Sequence, residues 1–295
     1  MGHQHSHEHH HDVGNIKVAF FLNLVFTIIE LIGGLYVNSM AILSDAVHDL
    51  GDSLSLGMSW YFQKLSKKGR DKTFSYGYKR FSVLGAIINS IVLVVGSLLI
   101  IRETLPRLWN PVQPDAKGML ILSILGIIVN GAAVFKLKKG KSLNEKVVSL
   151  HLLEDVLGWA AVLIASMVMM FYSVPIIDPV LSLLITGFIL YNVFKNLKTS
   201  FKIVLQAYPS EPDQKTLKQK IMLLPKVKGI HDMHIWSMDG NYHVMSIHIV
   251  LKKGIDMQEQ MLLKAKVREV ISQNAIDHVT IEMDCEEEDC ELKDC

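Results

Sequence analysis

Six stretches of this 295-residue chain are apolar enough to be read as membrane crossings, each close to the length, about 20 residues, that spans roughly 30 Å of hydrocarbon. They run from Lys17 to Val37, Met40 to Phe62, Phe81 to Arg102, Gly118 to Leu137, Val147 to Tyr172 and Pro175 to Phe194. Without water to satisfy backbone N–H and C=O groups, each stretch is confined to an α-helix. No cleavable signal peptide is expected ahead of them, because the chain begins with a histidine run and not with a basic region and a small-residue cleavage site. Half of the residues are hydrophobic and the mean hydropathy is +0.29, as expected of a membrane protein with a soluble part. A net charge of +1 argues against the large charged surface that nucleic acid requires.

The cations set an orientation. Lys64, Lys67, Lys68, Arg70, Lys72, Lys79 and Arg80 follow the second stretch, and Lys136, Lys138, Lys139 and Lys141 follow the fourth. The other connections are Asn38–Ser39, a loop with Arg102, Arg107 and Lys117 against Glu103 and Asp115, and Ser173–Val174. The positive-inside rule then places both termini in the cytoplasm. The short loops suit a cell's inner (cytoplasmic) membrane, an organelle membrane being the alternative.

Beyond Lys195 the hydropathy falls. Asp213–Leu224 reads as an amphipathic helix, Ile230–Ser237 and His243–Leu251 as strands joined through Asp239, Gly240 and Asn241, Met257–Ser272 as a helix and Val279–Met283 as a strand. This predicts a six-helix transmembrane domain over residues 15–200 and a small α+β domain over 201–284, with tails at 1–14 and 285–295. So small a domain is near the limit for an independent core and is expected to lean on a dimer partner or on metal.

Within the oily helices one spelling occurs twice, His48 with Asp52 and His151 with Asp155. Residues four apart share a helix face, so each pair aims an imidazole and a carboxylate at one neighbour. If the two helices pack, four nitrogen and oxygen donors converge, the set that a tetrahedral zinc-type ion takes. A charge at the bilayer centre costs at least about 2.5 kcal/mol, so a compensating role is expected. Asp45 and Asp49 continue the stripe on the second helix, Asp45 nearer its outer end where water makes a carboxylate less costly. Packing hydrogen bonds are the bland alternative for such groups. Two matched pairs favour ligands, with Glu154 pointing elsewhere. Ligation needs neutral imidazole and ionised carboxylate, so metal and protons compete for the site. Alternate exposure to each side of the membrane would exchange one for the other.

These residues resemble the cation diffusion facilitator family along nearly the whole chain. ELIGGLYVNSMAILSDAVHDLGDSLSL is similar to its first two helices, FSYGYKRFSVLGA to its entry to the third, HLLEDVLGW to its fifth-helix half-site and VKGIHDMHIWSM to the start of its cytoplasmic domain. The resemblance implies a homodimeric exporter with six membrane helices per subunit, a ferredoxin-like cytoplasmic domain and metal/proton antiport by alternating access. It carries the transport site onto His48, Asp52, His151 and Asp155, implies Zn2+ as cargo and lets cadmium, cobalt, nickel or iron stand as alternatives. It also matches His231, His248 and Asp284 to positions that bind regulatory metal across the dimer, again Zn2+. Glu282 stands where many members have histidine, and Met261 lies near another histidine position. Packing of strand and dimer is the competing role for His231. His234, three residues on, is expected on the opposite strand face.

His3, His5, His7, His9, His10 and His11 read as a metal-catching tail, and Cys285, Cys290 and Cys295 as reduced thiols in a solvated acidic end. The basic loop from Lys64 to Arg80 anchors at anionic lipid. By resemblance it also touches the cytoplasmic domain, with Arg80 as the coupling residue, and with Asp71 as its sole plausible donor no loop metal site is expected. An intramembrane metallohydrolase is disfavoured by the absence of HExxH and by a filled coordination sphere, so no enzyme is expected. A membrane metal receptor that signals without transport is the remaining alternative.

Overall fold

The computed structural model describes residues 9–66, 68–137 and 143–285, without the side chains of residues 9–20, 22, 56, 59, 60, 63, 66, 133, 136, 137 and 143–151. In chain order the elements are α1 (His9–Val37), α2 (Met40–Ser66), α3 (Phe81–Trp109), α4 (Ala116–Leu137), α5 (Leu143–Phe171), α6 (Ile177–Val204), α7 (Gln214–Met222), β1 (Val227–Ser237), β2 (His243–Leu251), α8 (Met257–Ser272) and β3 (His278–Asp284). They form two bodies. One comprises the described residues up to Phe62 with Gly85–Leu197; the other joins the loop Gln63–Leu84 to the residues from Lys198 onward.

Each apolar stretch forms a helix, from 22 residues in α4 to 29 in α1, α3 and α5. Among the described residues, Phe81–Trp109, Leu152–Phe171 and Ile177–Val204 are long and apolar enough to cross a bilayer, while α1 and α4 contribute the shorter apolar segments Asn23–Val37 and Ala116–Ala132. The acids in the middle of α2 are what set it apart. Phe26, Ile42, Met119, Trp159 and Val162 form the main core of this body. Gly126 lets α4 approach α5, since a Cβ there would overlap the Trp159 indole. Leu35, Tyr36, Phe135, Phe171, Leu184 and Tyr191 point outward, a surface stable in hydrocarbon and unfavourable in water.

The turn between α1 and α2 is gripped from three sides. Arg107 Nη1 donates to the Asn38 carbonyl at 3.1 Å and the Asp115 amide to the Val37 carbonyl at 2.9 Å. From α6 the buried Asp178 accepts from Ser39 Oγ at 2.5 Å, Met40 N at 2.7 Å and Ala41 N at 3.2 Å. A carboxylate from one helix thus caps the N-terminus of another, where unpaired amides and the helix dipole both favour negative charge. One turn deeper, Ser44, Thr104, Ser182 and Thr186 join α2, α3 and α6 through buried hydroxyl contacts of 2.7 to 3.2 Å.

In the second body β1 and β2 pair antiparallel and β2 and β3 parallel, in the order β1-β2-β3. Alternate residues Met245, Ile247, Ile249 and Leu251 of β2 enter a core with Leu217 and Ile221 of α7 and Leu263, Val267 and Ile271 of α8. Asp213 caps α7, and Asp256 with Glu259 forms a capping box on α8. The sheet face away from this core carries His231 opposite His248 and His248 opposite Glu282, with Asp284 two residues beyond. Between His231 and His234 the register slips, with His231 opposite His248 and His234 opposite Ser246, so three residues of β1 span two of β2. This bulge overturns the expectation for His234: it lies on the same face as His231, because one extra residue reverses the alternation of a strand.

Candidate metal centre

In the helical body His48 and Asp52 come from α2 and meet Asp155 of α5. His48 Nε2 lies 3.6 Å from Asp52 Oδ2 and 3.9 Å from Asp155 Oδ1. These separations are too long for direct hydrogen bonds and close to the edges, about 3.3 to 3.6 Å, of a tetrahedron with zinc-type bonds. Asp155 is buried, while His48 and Asp52 are partly exposed, which leaves the locus reachable. The backbone of His151 lies in α5, one turn before Asp155; its side chain lies outside the described residues. Glu154 faces outward, as its position beside Asp155 predicts.

Around this locus are carboxylates whose setting was not legible. Asp45 is buried within the protein, with Oδ2 lacking a hydrogen-bond partner among the described residues, and is not eased by water as its position near the helix end suggested. Asp49 is 3% exposed and Glu30 of α1 is 1% exposed. Glu30 neighbours Asp45, Asp49 and Asp155. Its one sequence signal is that it is the lone acid of the apolar stretch Lys17–Val37, which by itself marks a candidate functional position in a membrane. Asn23 ties α1 to α2 by donating to the Asp49 carbonyl at 3.1 Å and to Ser53 Oγ at 3.0 Å.

The second locus sits on the open face of the sheet. His231 Nε2 lies 3.1 Å and His248 Nδ1 3.2 Å from the same oxygen, Asp284 Oδ2, and the three donors form one compact group. His248 Nδ1 and Asp284 Oδ2 are within hydrogen-bond distance of each other, while His231 Nε2 has no hydrogen-bond partner among the described residues. Opposite this group, His248 Nε2 faces Glu282 Oε2 at 3.5 Å and Asp232 Oδ2 at 3.6 Å. Asp232 was missed in the sequence, since only the bulge turns it toward the histidines. Two imidazoles and a carboxylate suit zinc and its neighbours, with one position left for water or a further ligand.

The loop after α2 belongs to the same body as this sheet. Its Asp71 accepts from the amides of Thr73 and Phe74 and from the Tyr78 hydroxyl, at 2.8 to 2.9 Å. The Phe74 amide first, then Tyr78 and Thr73, hold the Asp71 carboxyl well below the usual carboxylate range. With those oxygens engaged, Asp71 is a poor metal donor. The loop meets the sheet through Tyr76, whose ring stands edge-on to His278 at 5.6 Å, and through Lys79, whose Nζ lies 4.3 Å over the Tyr242 ring. Arg80, expected by resemblance to couple this domain to helix motion, has its Nε buried without a hydrogen-bond partner among the described residues.

Residues 16–205 match the family described as the cation efflux transmembrane domain, and residues 209–286 match the cation efflux protein cytoplasmic domain. Over 290 residues the chain is 32% identical to the cadmium, cobalt and zinc/H(+)-K(+) antiporter of Bacillus subtilis, which covers 97% of this chain and 93% of that protein. It is 31% identical over 297 residues to the metal cation efflux system protein CzcD of Cupriavidus metallidurans, covering 98% and 93%. It is 28% identical over 297 residues to the zinc transporter ZitB of Pectobacterium atrosepticum, covering 98% and 92%.

Proposed function

From the premise that this chain belongs to the cation efflux family, whose members are transporters and not enzymes, we propose that it exports a divalent metal cation, Zn2+ foremost, from the cytoplasm in exchange for protons. The single observation that carries this reading is the meeting of His48 and Asp52 with Asp155 at 3.6 and 3.9 Å. His151 is the fourth ligand of the cargo site by its match to His48. Two carboxylates neutralise the ion and replace part of the hydration it sheds on leaving water. Protons then compete for the same groups, so a site open to one side at a time returns protons for metal.

In this reading α1 to α6 all cross an inner membrane with both termini in the cytoplasm. The second body is a ferredoxin-like cytoplasmic domain that dimerises with a second copy. His231, His248 and Asp284 bind Zn2+ as a regulatory ligand, and the histidine-rich tail gathers metal. The family's cytoplasmic domain, the cation-poor loops and the paired ligands support this.

The test is Zn2+ flux in proteoliposomes under an imposed pH gradient, with a K+ gradient as a parallel arm because the Bacillus relative is named for both ions. Flux is expected to follow the pH gradient and to vanish in Asp52→Ala and Asp155→Ala. Binding without passage would make the chain a receptor, and equal flux in the variants would move the site elsewhere.

A further inference from the structure

The cytoplasmic locus is built around one ring, and that ring has two polar edges. A neutral imidazole offers one lone pair and one N–H. If His248 gives its Nδ1 lone pair to an ion shared with His231 and Asp284, its proton sits on Nε2 and needs an acceptor. Metal-bound histidines almost always hand that proton to a carboxylate, carbonyl or water, which fixes both the ring and its tautomer. Two carboxylates face Nε2 here, Glu282 at 3.5 Å and Asp232 at 3.6 Å. Glu282 is 65% exposed and shares its oxygens with water, whereas Asp232 is 11% exposed.

Two further observations single out Asp232. Its φ is +45°, in the left-handed region that non-glycine residues rarely adopt, and it lies within the bulge of β1. Strain of this kind persists where the surroundings impose it and gathers at functional sites. Its other oxygen is held by His234, whose Nε2 lies 2.6 Å from Oδ1. The strained backbone thus presents a braced carboxylate between two imidazoles.

We propose that Asp232 is a positioning residue for metal binding at the cytoplasmic locus: standing 3.6 Å from His248 Nε2, just beyond hydrogen-bond length, it draws in as the ion binds to accept that nitrogen's proton and so holds the Nδ1 lone pair toward the ion shared with His231 and Asp284. This rests on the reading that the locus binds metal. His234 is the brace of Asp232 and not a ligand.

Cobalt(II) titration of the full chain in detergent tests it, followed by the visible bands of tetrahedral cobalt. His48→Ala and Asp155→Ala silence the membrane locus, and signal from the tails is removed by subtracting the spectrum of His231→Ala in that background. Asparagine is the informative replacement for Asp232, because it tolerates positive φ and keeps the shape of the bulge. Asp232→Asn is expected to weaken cobalt binding about 10- to 100-fold and alter the bands, with the metal-free melting temperature unchanged. Glu282→Gln, at an exposed position, is expected to weaken it by about threefold or less. If His231→Ala removes the bands and Asp232→Asn binds as the parent does, the positioning role falls while the site stands. If subtracting the His231→Ala spectrum leaves no bands, the metal-site reading falls and the positioning role with it. A melting temperature lowered in metal-free Asp232→Asn, with bands unchanged, would make Asp232 structural and overturn the proposal.

Discussion

The two loci use the same chemistry, imidazole with carboxylate, and build it by opposite means. In the helical body each half of the proposed site is local: His48 and Asp52, like His151 and Asp155, stand four positions apart, and helix packing has only to bring two faces together. On the sheet no half-site exists within one strand. His231, His248 and Asp284 come from three strands and meet through register alone. A helical site tolerates loop variation, because its pairs survive any shift of the helix. A sheet site is lost with one slip of register.

The sharpest way to break this comparison is to disable one locus and read the other. Asp155→Asn keeps the side-chain shape and removes the charge. Zn2+ flux is expected to fall by about two orders of magnitude or more, beyond the loss typical for groups that merely support a ligand. Cobalt binding at the sheet is expected to be unchanged. His248→Ala should do the reverse, abolishing the sheet cobalt bands while maximal flux survives. The zinc concentration for half-maximal flux then shifts by about fivefold or more, the lower range of allosteric coupling. Loss of maximal flux as complete as in Asp155→Asn would make the loci one functional unit.

Smaller effects sharpen the contrast between the bodies. Asp178→Ala leaves the amides of Met40 and Ala41 without their acceptor. It is expected to cost about 2 to 4 kcal/mol, read by unfolding in detergent, with the sheet locus unaffected. The smallest effect is at the loop. The lowered Asp71 pKa means that its contribution is present above the unfolded carboxylate value, about 3.9, and is lost as pH falls through the lower folded value. Hydrogen exchange at Thr73 and Phe74 is expected to accelerate, relative to neighbouring loop amides, as pH drops below about 4. In Asp71→Asn that pH-dependent step should vanish.

What was legible in the sequence follows from the same distinction. The helical stretches and the order helix, strand, strand, helix, strand appear because apolar period is a local property. β2 and α8 occupy the expected residues, His243–Leu251 and Met257–Ser272. The extension of α3 to Trp109 and of α6 to Val204 was hidden, since helices continue past the apolar stretch once polar side chains suffice. His234 was assigned the wrong face and Asp232 overlooked for one reason: a bulge has no unmistakable spelling, and alternation counted through it inverts. Asp45 and Glu30 were misjudged or missed because burial depends on which helix lies alongside.

The grip on the α1–α2 turn gives α2 the geometry of a lever. With the turn before it fastened by Arg107 and the Asp115 amide and its first amides by Asp178, the helix has a fulcrum at one end; Asn23 ties it again at Asp49 and Ser53, and it runs about 40 Å in all. His48 rides near the fulcrum, about 12 Å along, and Asp52 about 18 Å along. A tilt of about 5° displaces the far end by about 3.5 Å but His48 by only about 1 Å. That short stroke is about half a metal–ligand bond length, enough to loosen the coordination sphere of the proposed cargo site.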